Sequence, residues 1–272
     1  MPSTVPNVLT TDTQIQEILR DQILVDEATD FSPIQLACME SLCTPDLRSF
    51  FACGDFNQRI TEWGVRSEDE FKWAVPGLGV RLMTTTYRHS KQLNEFAREL
   101  VRISGGVSNA VLPENVDSEG VLLSMGANLR NPGEIAAWLA QRIGEIERIT
   151  KTMPSIAVLV NSEREVGSIA EALDSALAGQ NIRAIPCFNG QAVGQEADVR
   201  VFDVQHIKGL EFEAVFFIGI DEFANQSPTL FDKYLYVGVT RAATYLGVTC
   251  EGAELPAMLK SLEKKFERRW AS

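Results

Sequence analysis

The chain has 272 residues, 45% of them hydrophobic and 23% charged, and a formal net charge of −12. This length is enough for one large or two modest domains, each able to bury an apolar core. A free-standing nucleic-acid binder usually carries a basic excess, so we expect any nucleic-acid contact of this acidic chain to be local or shared with a partner.

The apolar runs, the beginning of the sequence and the rare residue types argue against several classes of protein. No apolar run approaches a membrane span, and the beginning, MPSTVPNVLTTDTQ, lacks the regions of a signal peptide. We therefore expect a cytoplasmic protein without membrane contact. Its five cysteines are scattered without a CxxC pair and there are only two histidines, which argues against a structural zinc site, a disulfide framework and a histidine-based hydrolase.

The first part of the chain predicts a small α/β arrangement. Ile23–Val25 reads as a strand, Ser32 followed by Pro33 reads as the N-cap and first residue of a helix, and Ser49–Cys53 reads as the next strand. Residues 61–79 show no periodicity and are predicted to be irregular.

From residue 80 onward, strand-like and helix-like segments alternate. The predicted strands are Val80–Met83, Val121–Ser124, Ile156–Val160, Ile182–Ile185, Val201–Val204, Ala214–Ile220 and Tyr245–Cys250. The predicted helices are Lys91–Ile103, one beginning at Asn131 and Pro132, one with a capping box of Ser162 and Glu165, Asp232–Thr240, and a basic amphipathic helix over Leu255–Trp270. This alternation predicts a doubly wound parallel sheet.

Three polar segments follow predicted strands, where loops of α/β sheets carry ligand chemistry. Asp26 and Glu27 form a carboxylate pair suited to holding Mg²⁺ and polarising a water, although such a pair also arises by chance in a solvated turn. Gln58 ends the segment GDFNQ, which reads equally well as a tight turn. The insert between the strands of residues 201–221 holds Lys208, Gly209 and Glu211, and its simplest interpretation is a solvated loop between two core strands.

Together with two more segments, these resemble motifs of superfamily 1 helicases of the UvrD/Rep type. The five segments, in chain order, are ILVDEATDFSPIQ, GDFNQ, TYRHS, IKGLEFEAVFFIGID and YLYVGVTRA. The resemblance covers roughly Ile23 to Cys250. It implies an α/β, RecA-like P-loop NTPase architecture with parallel sheets. Residues 1–79 would form a partial first RecA-like domain and residues 80–272 a complete second one, without the accessory insertion of the family.

For the first predicted domain, the resemblance implies residues that act on ATP and Mg²⁺. Asp26 would bind the Mg²⁺ ion, Glu27 would activate the attacking water, and Gln58 would contact the γ-phosphate. The family usually has glutamine where Thr29 stands, so contacts made through that glutamine are absent here.

For the second predicted domain, the resemblance implies the rest of the nucleotide site. Tyr87 would stack on the adenine, Arg88 would reach across to the γ-phosphate as an arginine finger, and Arg241 would be a second arginine on that phosphate. Gly209 would allow close backbone approach to the nucleotide, and Glu211 would accept hydrogen bonds from the ribose hydroxyls.

Three further positions depart from the family's usual residues. Thr86 replaces an asparagine, and Asp203 and Gln205 replace a threonine and a histidine that usually lie near the nucleic-acid strand. An acidic side chain such as Asp203 disfavours the ordinary contact with DNA.

The P-loop G-x-x-x-x-G-K-[ST], which phosphoryl transfer of this kind needs, does not occur in the sequence. Its backbone amides and lysine dominate electrostatic stabilisation of the triphosphate, so we expect the chain alone to be inactive as an ATPase. It would couple ATP hydrolysis to movement on DNA, expected to be single-stranded, only if a P-loop-containing N-terminal half or partner protein is supplied.

Two other interpretations stay open. One is a catalytically inactive helicase-like scaffold that binds nucleic acid or protein, which the replacements at Thr29, Asp203 and Gln205 favour. The other is an unrelated α/β enzyme, which would require all five matches to be accidental. A truncated first sheet would leave strand edges and apolar faces exposed near Ile23–Val25 and Ser49–Cys53. We therefore expect that surface to be mobile, covered by residues 1–20 or used in self-association.

Overall fold

The computed structural model describes residues 16–61, 63–85, 89–106, 111 and 122–270. The chain divides into two compact units, Met1–Leu82 and Met83–Ser272. Interpretation of these units as a partial and a complete RecA-like domain, divided at residue 79, stays a prediction.

In the first unit, two parallel strands and two helices enclose a small core. Strand β1 (Gln22–Val25) pairs with strand β2 (Ser49–Ala52) in parallel. Helix α1 (Pro33–Glu40) begins where the sequence predicts, because the Ser32 side chain accepts a hydrogen bond from Gln35 and the Gln35 side chain accepts one from the Ser32 backbone. The buried core residues of this unit are Val25, Ala28, Leu36, Val65, Phe71, Ala74 and Val75.

The prediction that residues 61–79 are irregular is wrong for part of that range. Helix α2 spans Glu68–Ala74, with Ser67 as its N-cap accepting a hydrogen bond from the Glu70 backbone. Three acidic residues in its first turn stabilise the helix, because their negative charges lie at the positive end of the helix dipole. Phe71 is its apolar anchor in the core. The cap and the acidic turn are local signals, but the helix is too short to show a periodic pattern.

Strand alternation divides the apolar residues of the β1–β2 pair between two faces. Val25 is buried, and Ile23 and Phe50 pack against the core. Leu24 and Phe51 lie on the opposite face and are 67% and 57% exposed. The predicted exposed apolar surface near these strands is therefore present in the first unit.

The second unit is built on a seven-stranded sheet in the order β5-β6-β4-β7-β8-β3-β9, with every described pairing parallel. Its strands are β3 (Leu123–Gly126), β4 (Ile156–Val160), β5 (Ala184–Pro186), β6 (Val199–Asp203), β7 (Phe212–Phe217), β8 (Ala242–Thr249) and β9 (Phe266–Glu267). Its helices are α3 (Lys91–Ile103), α4 (Pro132–Thr150), α5 (Glu163–Leu177), α6 (Ile220–Gln226) and α7 (Phe231–Thr240).

Helices cover both faces of the central strands. Val158 and Phe216 share one buried cluster with apolar residues of α4 and α5. Their neighbours along the strands, Leu159 and Phe217, point the other way and lie within 3.2 Å of where a side chain on Gly238 of α7 would begin. A parallel sheet covered on both faces confirms the predicted α/β fold class with a parallel sheet.

Two elements predicted from residue 80 onward are wrong. Residues 80–83 form no strand. The tail is not an amphipathic α-helix over Leu255–Trp270. It forms a 3-10 helix over Ala257–Lys265 and then strand β9, where Phe266 pairs with Leu123 and its ring meets Phe96 edge-on. Pairing with a distant strand overrides the local helical pattern there. Within the described part of the chain, no helix is long and apolar enough to cross a membrane.

Candidate functional site

Asp26 and Glu27 follow β1 at its carboxyl end. Asp26 is exposed, and its Oδ1 accepts hydrogen bonds from the Glu27 backbone N–H at 2.8 Å and from the Cys53 thiol at 3.2 Å. Glu27 adopts a left-handed backbone with φ of 50°, which is uncommon for a residue with a side chain and turns the chain sharply after the strand. A solvent-accessible carboxylate of this kind fits Mg²⁺, which prefers oxygen ligands and often binds through one or two carboxylates together with phosphates.

The thiol of Cys53 was not singled out by sequence reasoning. It lies beside Asp26 because β1 and β2 are parallel neighbours and Cys53 directly follows β2. Partial desolvation raises the pKa of Cys53, and the hydrogen bond to the Asp26 carboxylate and its negative charge raise it further. The thiol therefore stays protonated and donates to the candidate metal ligand.

Gly54 and Asp55 are packed against the turn that follows Glu27. A side chain on Gly54 would begin 3.0 Å from the Thr29 backbone nitrogen, so this close approach requires glycine. Thr29 is fully buried and its hydroxyl donates to the Asp55 carbonyl at 3.2 Å. Thr29, which replaces the usual glutamine, thus joins the two predicted motifs of the first unit.

Gln58 ends a 3-10 helix over Phe56–Gln58, next to that turn. The Asp55 side chain caps this helix by accepting from the Asn57 backbone at 2.8 Å, and the Gln58 backbone donates to the Asp55 carbonyl at 3.0 Å. Asp26, Glu27 and Gln58 therefore all follow the carboxyl ends of the same strand pair. Their predicted roles toward Mg²⁺, water and phosphate stay predictions.

Thr86, Tyr87 and Arg88 lie outside the described residues, but the segment after them is well defined. The His89 ring Nε2 lies 3.2 Å from the Thr240 carbonyl oxygen. The Ser90 backbone N–H donates to the Ala243 carbonyl at 2.8 Å. The start of α3 is therefore attached to the chain on both sides of Arg241.

Arg241 is buried at the end of α7 and meets the loop that carries Gly209 and Glu211. Its Nη1 lies 3.4 Å from the Leu210 carbonyl, and its own carbonyl accepts a 2.9 Å hydrogen bond from Phe212. The structure thus brings the last two predicted motifs together within the second unit.

Gly209 and Glu211 lie in the loop between β6 and β7. Gly209 has φ of 81° with open space where a side chain would begin, so its backbone conformation explains the glycine. Glu211 is exposed. The predicted approach of Gly209 to a nucleotide and the ribose contact of Glu211 stay predictions.

The two residues that depart from the family pattern before this loop have different surroundings. Asp203 ends β6 and is buried, with Oδ1 accepting from the Gln205 backbone N–H at 2.9 Å. Gln205 is exposed. Asp203 therefore caps the short 3-10 helix of residues 204–206, and burial removes most of its side chain from the surface.

Comparison with known proteins agrees with the motifs. No curated protein matches the chain significantly. Among solved structures, the C-terminal domain of a possible DNA helicase from Lactobacillus plantarum WCFS1 is similar, with 19% identity, a TM-score of 0.48, and coverage of 66% of this chain and 97% of that one. The family model described as "UvrD-like helicase C-terminal domain" matches residues 198–249, which include Gly209, Glu211 and Arg241. This match confirms the resemblance for the last two of the five segments: residues 198–249 are similar to the C-terminal domain of UvrD-like helicases.

Proposed function

We propose that this chain is the C-terminal part of an ATP-dependent DNA helicase or translocase. The observation that carries the proposal is the contact of Arg241 with the Leu210 carbonyl, which holds an arginine suited to phosphate against the loop of Gly209 and Glu211. The match to a helicase C-terminal family over the same residues supports a helicase-related role.

In this proposal, the first unit supplies the groups that act on water and metal. Mg²⁺, when bound at Asp26, would neutralise charge on the β- and γ-phosphate oxygens. Glu27 accepts a proton from the attacking water, and Gln58 donates a neutral hydrogen bond to the γ-phosphate. The exposed carboxylate of Asp26 at a strand end supports this assignment.

The second unit supplies binding and charge stabilisation. Tyr87 stacks on the adenine and Glu211 accepts hydrogen bonds from the ribose. Arg88 and Arg241 stabilise the negative charge that develops on the transferred phosphoryl group, a role worth several orders of magnitude in rate in related reactions. Movement along single-stranded DNA would follow from the cycle of binding and hydrolysis.

A P-loop must come from outside the 272 residues for this chemistry to run. We propose that a P-loop-bearing segment or partner covers the apolar face of Leu24 and Phe51, because so much exposed apolar surface on a strand pair favours a covering sheet or helix. Sedimentation velocity of the chain alone tests the alternative that a second copy covers this face. A concentration-dependent dimer that Leu24→Ser and Phe51→Ser abolish would favour self-association.

The function is tested by ATP hydrolysis. The chain alone should show none, and adding the polypeptide encoded immediately upstream, where it carries G-x-x-x-x-G-K-[ST], should produce DNA-stimulated hydrolysis. Glu27→Gln should abolish that activity, whereas Glu171→Gln, an exposed charge change on α5, should leave it intact. Steady hydrolysis by the chain alone, lost in Glu27→Gln, would overturn the requirement for a partner.

The second candidate function is a helicase-like scaffold without catalysis. The buried Asp203 supports it, because this acid stands where the family usually carries a threonine. Salt-dependent binding of a single-stranded oligonucleotide, with no hydrolysis under any combination of partners, would favour the scaffold over the motor.

A further inference from the structure

We propose that Glu163, Asp203 and His206 form a binding site for a divalent transition-metal ion such as Zn²⁺. All three lie at the carboxyl ends of neighbouring strands in the sheet of the second unit. Strands β4 and β6 are parallel neighbours, with Val160 opposite Asp203. Glu163 begins α5 just after β4, and His206 ends the 3-10 helix that follows Asp203. The fold therefore gathers them from two separate stretches of chain.

The spacing of their donor atoms suits one shared ion. One ligand atom from each of Glu163, Asp203 and His206 lies within 4.8 Å of the others. His206 Nε2 and Glu163 Oε2 are 3.8 Å apart, too far for a hydrogen bond. Two donors that each bind one zinc ion at about 2.1 Å are separated by about 3 to 4 Å, so this pair already has the spacing of two ligands.

The environment of Glu163 points independently to a cation. Its Oε1 accepts a 2.7 Å hydrogen bond from the Asn189 backbone. Its Oε2 is buried and, among the described residues, has no hydrogen-bond donor. A carboxylate oxygen withdrawn from water without a donor is costly, and a metal ion would satisfy it.

Other groups at these strand ends fit the same interpretation. Asp203 is buried to 4% exposure, with Oδ1 oriented by the Gln205 backbone N–H. Asn161, one residue beyond Val160, is also buried and donates to the Gly219 carbonyl, while its own Oδ1 finds no donor in the described part of the chain. These strand ends therefore hold an excess of buried oxygen acceptors.

The donor set selects the type of ion. Two carboxylates balance a double positive charge, and an imidazole nitrogen favours Zn²⁺, Co²⁺ or Mn²⁺ over Mg²⁺ and Ca²⁺, which prefer oxygen ligands. The competing explanation is an ion pair of His206 with Glu163. With the two side chains 41% and 34% exposed, such a pair contributes little to stability.

The three proposed metal ligands are different residues from those proposed to act on ATP, although His206 lies only three positions before Gly209. The metal site also gives Asp203, which departs from the UvrD-type pattern, a role of its own. Failure of the metal site would leave the proposed helicase function unaffected, and the reverse holds as well.

Binding of Co²⁺ and Zn²⁺ to the full 272-residue chain tests the proposal. Calorimetry and the visible absorption of Co²⁺ are measured in a Cys38→Ser, Cys53→Ser background, because these two exposed thiols would bind the same ions. We expect one Co²⁺ site whose affinity falls at least about tenfold in Glu163→Gln and likewise in His206→Gln. Glu171→Gln, the same charge change on an exposed position of α5, should bind as the background does.

Thermal melts connect binding to this part of the fold. Saturating Zn²⁺ should raise the melting temperature of the background and of Glu171→Gln, but not that of Glu163→Gln or His206→Gln. Metal-free melts of all four proteins verify that each is folded. Absence of Co²⁺ binding, or equal affinity in either ligand variant, would overturn the three-residue site.

Discussion

The Ser90 backbone N–H donates to the Ala243 carbonyl at 2.8 Å and ties the start of α3 to the beginning of β8. His89 lies against Thr240 from the same side. Arg88 precedes His89 directly in the chain, and Arg241 lies between the two attachment points. The start of α3 therefore supports the segment that carries Arg241, which is proposed to bind phosphate.

Loss of the Ser90 side chain should destabilise the second unit. Its Oγ accepts a 3.4 Å hydrogen bond from the Leu93 backbone as the N-cap of α3. Ser90→Ala should lower the free energy of unfolding by about 1 kcal/mol, measured by urea denaturation. Ser175→Ala, at an exposed position of α5, is the control and should change the free energy of unfolding little. Equal values for the two variants would show that the cap contributes nothing.

Gly209→Ala should be destabilising because of its backbone conformation alone. With φ of 81° and open space around the position, the methyl group strains the backbone without a clash. The left-handed conformation costs a residue with a side chain about 1 kcal/mol relative to glycine. Gly179→Ala is the matched control, since that glycine also faces open space without a positive φ. A neutral Gly209→Ala would indicate that the loop readily relaxes.

Elements with strong local signals were predictable from sequence. The cap at Ser32 and the apolar run of β4 needed no long-range information, and both are present. Strand β9 was not predictable, because Phe266 becomes a strand residue only through its pairing with Leu123. The helical pattern of the tail was real but weaker than that tertiary pairing.

The residues of the candidate sites were likewise predictable only where they belong to a continuous sequence motif. Asp26, Glu27 and Gln58 were found because their motifs are continuous in sequence. Glu163 and His206 are forty-odd positions apart and meet only because β6 lies next to β4 in the sheet, an order that the sequence does not reveal. Cys53 likewise meets Asp26 through parallel pairing of β1 with β2.

Removal of the Asp26 charge should make Cys53 more reactive. Partial desolvation, the hydrogen bond to Asp26 and its negative charge raise the pKa of this thiol. Asp26→Asn removes the charge, so the pKa falls and more thiolate is present at pH 8. Iodoacetamide labelling of Cys53, followed by mass spectrometry, should then be several-fold faster. Asp46→Asn, another exposed acid of the first unit, should leave the rate unchanged, and equal rates in both variants would contradict the coupling.

The fully buried thiol of Cys250 should make the protein less stable in alkali. Burial, followed by the charge of Asp221, raises the pKa of this group from 9.0 to about 12. Because the folded-state pKa is the higher one, the stabilisation is complete below pH 9 and is lost as pH rises from 9 toward 12. Between pH 8 and pH 10 the wild type should lose about 1.4 kcal/mol more than Cys250→Ala.

This comparison rests on the pH dependence and not on absolute stability, because Cys250→Ala also leaves a cavity. Urea denaturation at pH 8 and pH 10 gives the loss of unfolding free energy between these pH values for the wild type and for Cys250→Ala. Cys38→Ala, which removes an exposed thiol, should retain the wild-type dependence. A Cys250→Ala protein with the same loss as the wild type would show that this thiol does not titrate on unfolding as proposed.

Glu145→Gln should be the most destabilising of these substitutions, because it breaks a buried ion pair that fastens the C-terminal segment. Arg142 and Glu145, on successive turns of α4, are both buried and paired. Arg142 also donates to the Arg268 carbonyl, and Glu145 accepts from the Trp270 backbone at 3.1 Å. The variant leaves the Arg142 charge uncompensated, which typically costs about 3–5 kcal/mol.

The matched control is Glu147→Gln, an exposed position of the same helix, which should change the free energy of unfolding by less than about 0.5 kcal/mol. Trp270 reports on the fastening directly, because its ring packs against Tyr245 and Phe216. In Glu145→Gln its fluorescence should become more accessible to iodide before global unfolding. Unchanged quenching together with wild-type stability would mean that apolar packing of Trp270 holds the segment without the ion pair.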